Sequence, residues 1–202
     1  MILYYLLVLI IGIPLFIFWP AKVVNRKYRP KRGKGALICC NHLTLLDPLI
    51  VGMHIPRRLW FVAKKEYADS FFGKFMVRGS GSFPIDRGKP NLDTMKRMIA
   101  VLKKGKAILL FPEGTRNKGA ETDGLLALQN GAVMLSVKSQ VPVYPVALLK
   151  RPRFLRFNKI IYGEPIEFTE LYGEMLTREK LDAATQRLAE SMEGLKQIQK
   201  KP

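Results

Sequence analysis

From residue 36 onward, short apolar runs alternate with longer stretches of helical periodicity, and this alternation restricts the chain to a layered α/β arrangement. Residues 36–40 (ALICC) form an apolar run bounded by turn chemistry, which suits a buried strand. Residues 59–63 (LWFVA), 107–111 (AILLF), 141–149 and 159–162 are further strand candidates. Between them, Asp47-Pro48 reads as the N-cap and first residue of a helix. Asn91 is placed to cap a helix whose face carries Leu92, Met95, Ile99 and Leu102, with Gly105 ending it. Residues 125–138 are helical in pattern, with Gly131 as a weak point. Leu181, Ala184, Leu188, Met192, Leu195 and Ile198 form the stripe of an amphipathic C-terminal helix. Pro142 and Pro145 predict that their strand lies at a sheet edge or starts irregularly, because proline donates no ladder hydrogen bond. The expected fold is α/β, a mixed sheet flanked by helices in one domain over residues 36–202. The chain's 202 residues leave no room for two ordinary domains.

The first twenty-one residues carry no charged side chain, and the first charge is Lys22. A run of about 20 apolar residues is long enough, at ~1.5 Å per residue, to cross a ~30 Å hydrocarbon layer. Residues 1–21 are therefore expected to be an uncleaved membrane anchor, with Tyr4, Tyr5 and Trp19 near its two ends. Pro14 removes a helical hydrogen bond, so the anchor either spans or lies as an interfacial or re-entrant segment. Residues 22–35 form a polybasic juxtamembrane segment with Lys22, Arg26, Lys27, Arg29, Lys31, Arg32 and Lys34, and no acid precedes Asp47. The positive-inside rule places the body on the cytoplasmic face of the cell membrane, and the basic run is suited to anionic lipid headgroups. Lys and Arg number 34 against 16 Asp and Glu, a net charge of +18 that calls for an anionic partner. The two cysteines, Cys39 and Cys40, are adjacent and exclude a disulfide framework.

The first strand candidate runs into Asn41-His42-Leu43-Thr44-Leu45-Leu46-Asp47-Pro48. His42 then sits at a strand end, where α/β sheets bind ligands. A turn that returns Asp47 to one imidazole nitrogen fixes the tautomer and leaves the other nitrogen as a general base. Three more blocks follow in order: residues 81–87 (GSFPIDR), 111–116 (FPEGTR) and 141–146 (VPVYPV). On these four blocks the chain resembles the 1-acylglycerol-3-phosphate O-acyltransferase (lysophosphatidic acid acyltransferase) family, over roughly residues 36–165. Asn117 is a departure, since many members have Ser there.

The resemblance implies a glycerophospholipid-acyltransferase-like fold. It also implies transfer of an acyl group from acyl-CoA or acyl-carrier protein to the free hydroxyl of a lysophospholipid, without a cofactor or a metal. His42 would be the base and Asp47 its orienting partner. Direct attack by the acceptor hydroxyl requires no acyl-enzyme. Phe83, Arg87, Glu113, Gly114, Thr115 and Arg116 would contact the acceptor. The two arginines offer planar forks for phosphate, Gly114 allows close backbone approach, and Glu113 would orient Arg116 or bind a glycerol hydroxyl. Lys64 stands where the family commonly has a lysine, and either contacts phosphate or is an exposed lysine. The fourth block is read as structural or as acyl-chain lining. Phe71, Phe72, Phe75 and Met76 either pack in the core, dock on the membrane or wall an acyl groove.

His54 has no partner at metal-ligand spacing, and residues 79–81 (GSG) lack the Lys-Ser/Thr of a nucleotide loop. The expected product is phosphatidic acid. Another lysophospholipid or glycerol 3-phosphate as acceptor would use the same motifs. A membrane-tethered nucleic-acid-binding protein would need aromatic platforms or a recognition helix among the basic residues; neither is evident, so no nucleic acid is expected as partner. A hydrolase in which His42 activates water is a further alternative.

Overall fold

The computed structural model describes residues 6, 8–66, 81–85, 92–119 and 124–198, which build one sheet with helices on both faces. Among the described residues there are seven strands: β1 (Ala21–Val24), β2 (Ala36–Cys40), β3 (Leu59–Lys64), β4 (Phe83–Ile85), β5 (Ala107–Leu110), β6 (Val143–Leu148) and β7 (Asn158–Tyr162). They lie in the order β1-β7-β6-β2-β5-β3-β4. β6, β2, β5, β3 and β4 are parallel to one another, whereas β7 runs antiparallel to β6 and β1 parallel to β7. The sheet is therefore mixed, as expected of the acyltransferase-like fold.

β2 has a strand on each side and helices over each face, which explains why all five of its residues are buried and apolar. Leu37 and Cys39 pack towards α3 (Leu92–Lys103), α4 (Gly131–Ser139) and α5 (Arg178–Gln197). Ala36, Ile38 and Cys40 pack on the other face, against α2 (Asp47–Met53). The adjacent cysteines thus point to opposite layers, as the two-residue strand period requires. Burial pushes both thiols far above their ordinary range, so neither is a nucleophile. Gly105 ends α3 with φ +71°, and a Cβ there would lie 2.4 Å from the Gly33 carbonyl oxygen. Thr177 caps α5 by accepting from the Lys180 N–H at 3.3 Å.

Several expectations need correction. Leu92 is 67% exposed; the buried stripe of α3 is Thr94, Met98 and Leu102, flanked by Met95 and Ile99. α4 begins at Gly131 and not near residue 125, because the backbone just before it bonds elsewhere. The Leu126 N–H goes to the Glu113 carboxylate and the Gln129 N–H to the Pro112 carbonyl. Ile198 lies beyond the end of α5 and is exposed.

β6 is an interior strand despite Pro142 and Pro145. Pro142 precedes it, and the Pro145 carbonyl accepts from the Gly163 N–H, just past the end of β7. In a strand the N and C=O of one residue face the same neighbour. The donor that Pro145 lacks therefore faces the end of β7, and the β2 ladder loses nothing. β1 was not foreseen: the polybasic segment starts inside the sheet, where Lys22 pairs with Lys159.

The N-terminal segment contains a π-helical turn (Val8–Gly12) followed by α1 (Ile13–Phe18), with Pro14 in the first turn of α1, where its missing N–H costs least. These eleven residues rise about 16 Å, half of a ~30 Å hydrocarbon layer. No helix among the described residues is long and apolar enough to cross a membrane, so the expected spanning helix finds no support. α1 packs Leu15 inward and stacks Phe16 on His54 at 5.2 Å, yet Ile13, Phe16, Ile17 and Phe18 remain exposed. Tyr4, Tyr5, Asn91, Arg87 and the cluster of Phe71, Phe72, Phe75 and Met76 lie outside the described residues.

Candidate active site

The C-terminal ends of the parallel strands form one edge of the sheet, and the first and third of the blocks singled out in the sequence meet there. β2 ends at Cys40, and Asn41 continues its pairing with a side chain: its amide donates to the Leu148 carbonyl at 2.9 Å and accepts the Leu148 N–H at 2.7 Å. This two-bond pair stands in for one more ladder residue and locks the strand end to β6.

His42 follows, 8% exposed, with its ring stacked on Phe111 at 4.2 Å between centroids. Its Nδ1 lies 2.9 Å from Asp47 Oδ2. That carboxylate also accepts the N–H groups of Leu43 and Thr44 at 2.5 and 2.6 Å, while Oδ1 accepts the Thr44 hydroxyl at 2.6 Å. Asp47 therefore caps the turn that precedes α2. It is the first residue of the helix and not its N-cap, which corrects the capping role expected from Asp-Pro. A carboxylate fully enclosed by donors makes Nδ1 the protonated nitrogen and leaves the lone pair of His42 on Nε2. Among the described residues nothing bonds Nε2.

The turn after β5 grips the same histidine. Glu113 Oε1 accepts the His42 N–H at 2.9 Å, Oε2 accepts the Leu126 N–H at 3.3 Å, and the Asn117 N–H donates to the His42 carbonyl at 2.8 Å. Both backbone polar groups of His42 are thus held by the FPEGTRN turn. Glu113 is 4% exposed and points inward. Each of its oxygens accepts one backbone N–H, so among the described residues it holds the His42 and Leu126 backbone and not the Arg116 side chain. Burial raises its pKa, against the pull of the two N–H donors and of the Lys196 and His42 charges. A carboxyl with a raised folded-state pKa adds stability that is fully present below its unfolded pKa and is lost as pH rises through the raised value. Comparing wild type with Glu113→Gln by denaturant unfolding, from acid pH to neutrality, should show wild type losing its relative advantage across that window. A pH-independent difference would contradict this assignment.

Gly114 has φ +68°, and a Cβ there would sit 2.6 Å from the Gln129 amide nitrogen. The close approach expected of this glycine is made by Gln129, and only glycine fits without strain. Thr115 is exposed and Arg116 half-buried; among the described residues no acid pairs with Arg116. Asn117, the departure from serine, donates its side-chain amide to the Gly124 carbonyl at 3.1 Å.

Two expected contacts lie apart from this cluster. Phe83 is 1% exposed and stacked on Trp60 at 5.4 Å, within the core beneath α3. Its ring is enclosed in the core, on the strand that pairs with β3. Lys64 ends β3 at the same sheet edge but forms a partly exposed ion pair, 2.8 Å from Glu66. The fourth block leads into and forms the first part of the interior strand β6, with Val143 and Val146 fully buried. Sequence reasoning missed Phe111, whose stacking orients the His42 ring, and Thr44, whose only signal was a hydroxyl three residues before Asp47.

A family model described as Acyltransferase matches residues 21–149. The chain is 29% identical over 185 residues to a 1-acyl-sn-glycerol-3-phosphate acyltransferase of Bacillus subtilis, covering 86% of this chain and 87% of that one. It is 30% identical over 192 residues to the enzyme of that name from Saccharomyces cerevisiae, of which it spans 60%. It spans 62% of the Streptococcus pneumoniae protein of the same name, at 26% identity. Among solved structures, the crystal structure of the 1-acyl-sn-glycerophosphate (LPA) acyltransferase PlsC from Thermotoga maritima superposes with a TM-score of 0.66. It covers 93% of this chain and 76% of that one at 22% identity, a likeness of fold.

Proposed function

This chain belongs to the acyltransferase family, and from that premise we propose that it moves a fatty acyl group from a thioester, acyl-CoA or acyl-carrier protein, to the free hydroxyl of 1-acyl-glycerol 3-phosphate, giving phosphatidic acid. The observation that carries this reading is the buried His42–Asp47 pair, with Nδ1 engaged and Nε2 open at the catalytic edge of the sheet. The acceptor hydroxyl gives its proton to Nε2 as its oxygen attacks the thioester carbonyl carbon. Asp47 balances the imidazolium that forms. The C–S bond then breaks, and the departing thiolate takes the proton from Nε2. The acceptor is itself the nucleophile, so no enzyme thiol or hydroxyl is acylated and no cofactor takes part.

Arg116 and Arg87 are assigned to the acceptor phosphate, which suits guanidinium forks. The exposed apolar side chains of α1 are assigned to the interfacial layer of the cytoplasmic leaflet, with the basic segment that follows on its anionic headgroups.

The test is to incubate purified protein with lysophosphatidic acid and each acyl donor and to detect phosphatidic acid by mass spectrometry. Arg116→Ala should raise the KM for the acceptor by roughly 10–10²-fold, the loss expected of a charge-assisted phosphate contact, with a smaller effect on kcat. An unchanged acceptor KM would remove Arg116 from the phosphate site. Free fatty acid formed without acceptor, at the rate of transfer, would reassign the site to hydrolysis.

A further inference from the structure

Two stretches of the chain contain no acidic residue, 1–46 and 124–163, and the sheet brings them together. β1 lies along β7, and the β6–β7 connection emerges beside the end of α1. That connection reads Lys150-Arg-Pro-Arg-Phe-Leu-Arg-Phe157, basic and apolar residues interleaved. Lys150, Arg151, Arg153, Arg156 and Lys159 line a cleft of about 480 Å³ without a single acid. Phe154, Leu155 and Phe157 stand 55%, 61% and 82% exposed, and Phe154 packs on Phe18 and Trp19, making one apolar surface with α1.

The loop is built, not loose. Asn158 is buried and ties it with its side chain: Oδ1 accepts the Arg153 N–H at 2.8 Å, and Nδ2 donates to the Pro20 and Arg156 carbonyls at 3.1 and 3.0 Å. Leu155 is held at φ +53°, in the left-handed region that a leucine avoids, with its N–H on the Phe18 carbonyl at 2.7 Å. A strained backbone that holds a leucine out in water, beside an exposed phenylalanine, is unfavourable for an isolated soluble molecule. Its position also matters. Leu148, the last residue of β6, is the partner of Asn41, one residue before His42, and Arg151 donates to the Lys118 carbonyl, two residues past Arg116.

We propose that the β6–β7 connection is a second membrane contact, in which the basic cleft takes anionic phospholipid headgroups while Phe154, Leu155 and Phe157 enter the acyl layer beside the catalytic edge. This rests on the membrane-surface reading of α1 given above and adds an independent attachment point. Two contacts on one side of the molecule fix its orientation, whereas α1 alone permits rotation about its own axis. Charge complementarity selects an anionic surface, and the interleaved phenylalanines select a bilayer over a soluble acidic protein.

The test uses the full chain and sedimentation with vesicles of phosphatidylcholine, alone or mixed with phosphatidylglycerol. Arg153→Gln with Arg156→Gln should weaken partition onto the mixed vesicles by about thirtyfold and leave the weak binding to phosphatidylcholine unchanged. Arg153→Lys with Arg156→Lys should bind like wild type. Phe157→Ser should weaken binding to both vesicles by roughly tenfold. Transfer to a short-chain, water-soluble lysophosphatidic acid should be unchanged in all three variants, so a wild type that binds vesicles but makes no product overturns the acyltransfer reading and leaves the docking surface standing. Unchanged partition of the glutamine and serine variants overturns the proposal, as does an equal loss in the lysine variant. Loss of binding to acidic acyl-carrier protein with vesicle partition intact also overturns it and assigns the loop to a protein partner.

Discussion

Replacement of His42 by alanine should lower kcat by about 10²–10⁴-fold while the protein stays folded. Among the described residues, the ring is the one group at this edge with an open lone pair set against a buried carboxylate, so its loss removes the proton acceptor for the attacking hydroxyl. The fold survives because the backbone of residue 42 keeps its bonds to Glu113 and Asn117, and Asp47 keeps the donors of Leu43 and Thr44. Measured product formation by the alanine variant within threefold of wild type would mean that the proton leaves by another route.

The second large effect separates the two duties of Asp47. Asp47→Asn can keep its oxygen at the Oδ2 position, where the His42, Leu43 and Thr44 donors converge, and turn its NH₂ towards the Thr44 hydroxyl oxygen. That variant should fold almost as stably as wild type and retain the His42 tautomer. It loses the negative charge opposite the imidazolium, and turnover should fall by about 10²–10³-fold. Asp47→Ala also strips the acceptors from a buried turn and should cost roughly 3–5 kcal/mol in addition. Denaturant unfolding read beside steady-state kinetics checks both. An asparagine variant as unstable as the alanine variant would show that the carboxylate is mainly structural. One as active as wild type would show that its charge does not serve the reaction.

Much of the site was legible because its parts are local. His42 and Asp47 are five residues apart, and one turn suffices to join them, so the pattern carries the geometry almost by itself. The alternation of apolar runs with helical stretches placed β2, β3, β5, β6 and β7 to within a few residues, and the signature is most continuous in β2 and β5, whose residues are all buried. Legibility stopped where a residue's partner was distant. Glu113 reaches 71 positions back to the His42 amide, and no composition or spacing distinguishes that carboxylate from one aimed at a substrate. The helix expected from residue 125 starts at Gly131 because the preceding amides bond to the turn that follows β5.

The sequence by itself determined the local pattern of the site and the class of the fold: the spacing of His42 and Asp47, the order of the four blocks, the α/β class and the excess of positive charge. These depend on short-range spacing, side-chain type and totals, which do not change when the chain folds. Only the tertiary structure decided which way each group faces. It turned Glu113 inward and Phe83 into the core, made β6 an interior strand by aiming the missing donor of Pro145 at the end of β7, and halted the N-terminal helix at Phe18 to begin β1. It also set the basic β6–β7 connection against that helix, 138 positions apart at Asn158 and Pro20. Such pairings are set by sheet order and by the need of every buried N–H and C=O for a partner, which are properties of the whole chain.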